Sequence, residues 1–157
     1  MPAKYRTILV PTDLSELSSA ALDHALALAG EGSRIILCHV VDDMPLTYGY
    51  VGIAAVGAEL RTRVSQEANE ELEEFARDAK VPPGVRIERR IVHGTPFAAV
   101  IDLARKEGAD LIVMSTHGRT GLKHMLIGSV AERVVRQAPC PVLVVRPESM
   151  VYGEGEE

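Results

Sequence analysis

At 157 residues the chain has the length of one domain, one that buries roughly 70% of its extended surface on folding and needs no metal or disulfide staple. Apolar residues make up 46% and charged residues 25%, but aromatics only 4% with no Trp, so the core has to be aliphatic. The net charge of -5, with no basic stripe at helical or strand spacing, argues against nucleic acid as a partner.

Thr7-Ile8-Leu9-Val10 is a short apolar run stopped by Pro11-Thr12-Asp13, which reads as a strand, a turn and a helix from about Ser15 to Ala29. Asp13 with Glu16, or Ser15 with Ser18, would cap that helix, a role a residue can share with ligand binding. The opening residues resemble neither a signal peptide nor a transit peptide, and no apolar run approaches the roughly 20 residues of a membrane span. A cytoplasmic protein without a membrane partner is therefore expected. After Gly30 and Gly32, Ile35 to Val41 form a nearly all-apolar strand covered on both faces, with His39 read as a packed core histidine. Met44 to Ala58 is uncharged and rich in Gly, Ala and Tyr, and reads as a loop that covers a cleft or meets a partner subunit.

From Glu59 to Ala79 the residues Leu60, Val64, Ala68, Leu72, Phe75, Ala76 and Ala79 recur at helical spacing, opposite a solvated acidic run at Glu70, Glu71, Glu73 and Glu74. Pro82-Pro83-Gly84 stops this helix, and Val85 to Val92 alternates in part, as an edge strand does. Thr95 and Pro96 open a helix that turns Phe97, Val100, Ile101 and Ala104 inward. Leu111 to Met114 is a buried strand, Ser129 to Gln137 a helix with Ser129 and Glu132 in a capping-box pattern, and Val142 to Val145 a last strand. The domain spans 1–147, and the acidic residues 148–157 form a tail expected to be disordered. Cys38 and Cys140 lack CxxC spacing and sit in apolar runs, so they read as buried small hydrophobes in a reducing compartment.

The alternation of strands and helices predicts an α/β fold: an open five-stranded parallel sheet with helices on both faces. For the order 3-2-1-4-5, ligands bind where the order reverses, between the first and fourth strands. That juxtaposes Pro11-Thr12-Asp13 with the segment from Ser115 to Gly128. Between Leu111 and Ala131 there is no Asp or Glu, while His117, Arg119, Lys123 and His124 fall inside the span. A glycine-bearing, acid-free loop between a strand and a helix N-terminus suits an anion such as a nucleotide phosphate, although two glycines so spaced are also compatible with ordinary turns. The GxxxxGK[ST] and GxGxxG signatures are absent.

PTDLS after the first strand, HVVD after the second and STHGRTGLKHMLIGSVAERVVRQAPCPVLVV resemble the universal stress protein family, from Lys4 to Arg146. The ATP-binding branch of that family carries G-x2-G-x9-G-[ST]. This sequence matches it at Gly118, Gly128 and Ser129 with the nine-residue spacing, and has Ser115 where the first glycine stands. The resemblance implies a Rossmann-like fold that binds ATP, ADP or AMP with magnesium. Pro11, Thr12 and Asp13 would border the adenosine, the backbone of Val40 would meet the adenine edge, and Met114 and Ser115 would flank the ribose. Gly118, Arg119, Gly128, Ser129 and Val130 would surround the phosphates, with His117 in the same loop and Asp13 reaching the magnesium directly or through water. It further implies a homodimer paired through Val142 to Val145, and a regulatory module with protein partners and at most slow ATP hydrolysis. The alternative, motivated by Ser115, is an interaction protein of the same fold that binds no nucleotide.

Overall fold

The computed structural model describes residues 5–42, 54–116 and 127–146. Its elements are β1 (Thr7–Pro11), α1 (Ser19–Leu28), β2 (Arg34–Val41), α2 (Ala54–Ala76), β3 (Arg86–His93), α3 (Pro96–Glu107), β4 (Leu111–Ser115), α4 (Ser129–Gln137) and β5 (Val142–Val145). The strands form one five-stranded parallel sheet, as the alternation of elements predicts, and their order is the expected β3-β2-β1-β4-β5.

Alternate residues of each strand supply two separate cores. Ile8, Val10, Ile35, Leu37 and Val113 pack under α1 and α2 with Leu22, Leu26 and Leu72. Leu9, Ile36, Cys38, Ile112 and Met114 pack on the other face under α3 and α4 with Val100, Leu103 and Val134. The helices change face where the strand order changes direction, as right-handed crossovers require. Strands buried on both faces carry no alternation, which is why β2 and β4 read as continuous apolar runs.

Polar fastenings sit at the opposite end of the sheet from the carboxyl termini. Asp110 accepts from the amides of Arg6 at 2.8 Å and Thr7 at 3.1 Å, tying the start of β1 to the start of β4. Arg34 donates to the Glu107 carboxylate and carbonyl, each at 3.1 Å, and so places a cation on the negative end of α3. Gly108 ends that helix in the left-handed region at φ 63, where its missing Cβ removes the steric cost.

Four expectations need correction. The helix α2 begins at Ala54 and ends at Ala76, because alanine-rich sequence prolongs the helix upstream of its first charged residue. The part of Met44 to Ala58 that precedes it, 44–53, lies outside the described residues, as do 147–157 with the tail. Leu60 is 39% exposed although it continues the apolar stripe: Ser65, more than a turn further on, already bonds to His93, the last residue of β3, so Leu60 lies past that strand's end. The first helix is preceded by a 3-10 turn over Glu16–Ser18 and becomes α-helical only at Ser19. Cys140 is only partly buried and lies just before β5, while Cys38 is fully buried in β2.

Burial pushes the Cys38 thiol up to about 12, and burial followed by the nearby Asp110 carboxylate raises that of Cys140. A thiol needs its thiolate form to react. Iodoacetamide at pH 8 is therefore expected to modify Cys140 slowly and Cys38 only after unfolding, as read by peptide mass spectrometry. Modification of Cys38 in the native protein would contradict the closed core around β2.

Candidate functional site

The carboxyl ends of β1 and β4 lie side by side where the strand order reverses, and the chain leaves them toward opposite faces. A cavity of about 260 Å³ opens there, just below the range of about 300–1,000 Å³ usual for small-molecule sites. Pro11, Thr12, Asp13, Val40, Met114, Ser115, Gly128, Ser129 and Val130 all line it, so these sequence-selected residues converge on one space. His117, Gly118 and Arg119 lie outside the described residues. His39, Ser18, Thr116, Pro96, Val100 and Ala131 also line the cavity and had not been selected. Of these, Val100 and Ala131 are core positions of α3 and α4 that form its apolar floor.

The first wall is the turn after β1. Leu14 is held at φ 67, a left-handed conformation that costs a branched residue about 1–2 kcal/mol. Side chains hold it there. Thr12 Oγ1 accepts from the Leu14 amide at 3.0 Å, and Asp13 Oδ1 accepts from the Ser15 amide at 3.0 Å and the Ser15 hydroxyl at 2.5 Å. The Thr12 and Ser18 hydroxyls are 2.6 Å apart. The Ser18 proton goes to the Ser15 carbonyl at 2.7 Å, so Thr12 donates to Ser18. Asp13 and Ser15 thus bond to each other within the turn instead of capping a helix; Ser15 occupies the cap position of the 3-10 turn without a side-chain cap bond.

The second wall is the start of α4. Its N-cap is Gly128 and not Ser129, because Gly128 is extended at φ -71, ψ 158 and its carbonyl already accepts from the Glu132 amide at 2.9 Å. The Gly128 amide donates to the Thr116 carbonyl at 2.6 Å, fixing the helix start to the end of β4. The capping box is consequently not formed, and Glu132 pairs instead with Arg136 at 3.0 Å. Ser129 and Val130, in the first turn, have amides with no i−4 carbonyl to serve, and the helix dipole favours negative charge before them.

Backbone direction supplies a third contact. In β2 the Arg34 amide and the Cys38 carbonyl bond to the β1 side, while the Ser33 and Val41 carbonyls bond to the β3 side. By this alternation the Val40 peptide faces β1, one step beyond the last rung between the strands, Thr12 N–H to Cys38 O at 2.8 Å. It therefore points into the cleft. His39 is no inert core residue: its Nδ1 lies 2.9 Å from the Thr12 carbonyl, at the edge of the cavity. Ser115 directs its hydroxyl to the Leu17 carbonyl at 3.4 Å, a long bond that draws the oxygen toward the 3-10 turn. Asp13 and His39 are the ionisable side chains on the described wall.

A doubly wound parallel sheet with a switch-point cleft, walled by a strained hydroxyl-rich turn and a glycine-capped helix, defines a domain of the Rossmann-like fold. The family model described as the universal stress protein family matches residues 4–146, and the chain belongs to that family. It is 40% identical over 148 residues to universal stress protein MJ0531 of Methanocaldococcus jannaschii, an alignment covering 90% of this chain and 82% of the relative. The solved structure of MJ0577 from the same organism superposes with a TM-score of 0.79 at 34% identity, covering 90% of this chain and 95% of that one. A universal stress protein solved in complex with cAMP is similar at a TM-score of 0.54 and 27% identity, over 92% of this chain and 98% of that one. Among the described residues no helix is long and apolar enough to cross a membrane.

Proposed function

We propose that the chain binds an adenine nucleotide, ATP or its ADP and AMP counterparts with magnesium, and that nucleotide state alters its contacts with protein partners in the cytoplasm. The observation that carries this reading is the arrival of Pro11-Thr12-Asp13 and Gly128-Ser129-Val130 at one cavity from two elements far apart in sequence. Val40 offers its peptide to the adenine edge, Met114 and Ser115 flank the ribose, and the α4 N-terminus receives the phosphates. The family resemblance assigns Gly118 and Arg119 to the phosphates as well, with His117 in the same segment. Asp13 is the carboxylate that would reach a phosphate-bound magnesium, for which an oxygen donor is chemically suited. A relative solved with cAMP is in keeping with an adenine nucleotide as the ligand class.

The role is regulatory and not catalytic, with no more than slow hydrolysis of ATP. The chain pairs with a second copy through the edge strand β5, whose Val142, Leu143 and Val144 remain only partly buried in the single chain. Titration calorimetry of nucleotide-free protein with MgATP is expected to show one site per chain with a dissociation constant of the order of micromolar, about 8 kcal/mol. No heat and no thermal shift at millimolar MgATP would overturn the reading in favour of an interaction protein. Several turnovers of ATP per second would overturn the regulatory assignment.

A further inference from the structure

We infer that His39 is a positioning residue for the nucleotide site, acting on the Thr12 carbonyl and not on the ligand; this rests on the nucleotide reading above. The parallel ladder between β1 and β2 closes with the Thr12 amide on the Cys38 carbonyl at 2.8 Å. Its next rung would run from the Val40 amide to the Thr12 carbonyl. The His39 ring takes that carbonyl instead, with Nδ1 at 2.9 Å. A carbonyl oxygen only accepts, so Nδ1 carries the proton.

Two consequences follow from this exchange of donors. The Thr12 carbonyl is satisfied without Val40, which leaves the Val40 peptide directed at the cleft. Thr12 is also held at its amide, its carbonyl and its hydroxyl at once, by Cys38, His39, and Leu14 with Ser18. Asp13 and the strained Leu14 follow directly in the chain, so the ring fixes the turn that presents the carboxylate to the cleft. Displacements of about 1 Å in such groups are enough to weaken a site strongly.

Three variants separate positioning from direct contact. Asparagine carries its amide nitrogen on Cγ, as histidine carries Nδ1, whereas glutamine extends a nitrogen to about the place of Nε2. His39→Ala is expected to weaken MgATP binding about tenfold, the effect of one lost hydrogen bond, and to speed amide exchange at Leu14 and Ser15. His39→Asn restores both; His39→Gln restores neither. Binding kept by His39→Gln and lost by His39→Asn would overturn the inference in favour of ligand contact through Nε2, and wild-type behaviour in all three variants would overturn it outright. If the wild-type protein binds no MgATP, the nucleotide reading falls. Exchange alone then decides: loosening in His39→Ala that is reversed in His39→Asn supports the clasp, and unchanged exchange overturns it.

Discussion

Replacing Gly128 with aspartate is expected to weaken MgATP binding by about hundredfold or more while leaving the protein as stable as before or slightly more so. The two effects have separate causes at one residue. Gly128 sits at φ -71, ψ 158, a conformation open to any residue, so nothing in the backbone requires glycine there. As the N-cap of α4 it contributes no side-chain bond, and aspartate is the better cap by a few tenths of a kcal/mol. A carboxylate at that end of the helix dipole adds about 0.3–1 kcal/mol. For a chain of this size the melting temperature should rise by about 1–3 °C. Where a phosphate would lie against the same amides, the new carboxylate both fills the space and repels it. A loss of affinity of about hundredfold or more, near 2.7 kcal/mol, is expected. Gly128→Asn separates volume from charge, because it caps as well and carries none. Wild-type affinity in Gly128→Asp would remove phosphate from the α4 terminus. A melting temperature lowered by more than about 5 °C would mean that the cap geometry is wrong.

The sheet was legible because its strands are buried on both faces and announce themselves as apolar runs, and because strict alternation with helices leaves few topologies. The local misreadings share one physical cause. Sequence patterns mark faces but not where a partner element stops. His39 looked like a core residue because β2 continues through it, yet β1 ends at Pro11, level with Cys38, and everything beyond borders the cleft. Leu60 extends an apolar stripe past the edge of the sheet it should cover. Ser129 with Glu132 has the spacing of a capping box, but the Gly128 carbonyl already accepts the Glu132 amide and moves the cap one residue earlier. Asp13 and Ser15 matched a cap pattern, and tertiary contact to Ser18 turned the same hydroxyls and carboxylate into a turn-forming cluster. Residues 12, 13, 40, 115 and 128 could be gathered as one site from sequence only by combining their strand-end positions with the family resemblance; the Val40 peptide direction needed the actual register.

Leu72→Ala should give the opposite dissociation, a large loss of stability with nucleotide affinity unchanged. Leu72 is fully buried between α2 and the sheet, beside Phe75 and Ala76, and Ala68 one turn earlier is nearly so. Ahead of them, 57–63 of α2 are exposed, so the helix is held to β2 and β3 mainly through its second half. Further fastenings are the Ser65 hydroxyl 2.7 Å from His93 Nε2 and a half-exposed Glu73–Arg89 ion pair at 3.7 Å. An exposed pair of that kind contributes at most about 1 kcal/mol. Removing a buried leucine side chain costs about 2–5 kcal/mol, a large share of the roughly 5–15 kcal/mol that keeps a domain folded. The urea midpoint should fall by about 1–3 M. Leu60→Ala on the same helix should change stability by less than about 0.5 kcal/mol. Among the described residues the cleft is lined from β1 and the turn after it, from β2 and β4, and from the first halves of α3 and α4, and none of these residues belongs to α2. Under conditions where Leu72→Ala is still folded, its MgATP affinity should therefore match the wild type within about twofold, as distant sites add independently. A loss of affinity that tracks the loss of stability would mean that α2 reaches the site, and that the cleft is not set by the switch point alone.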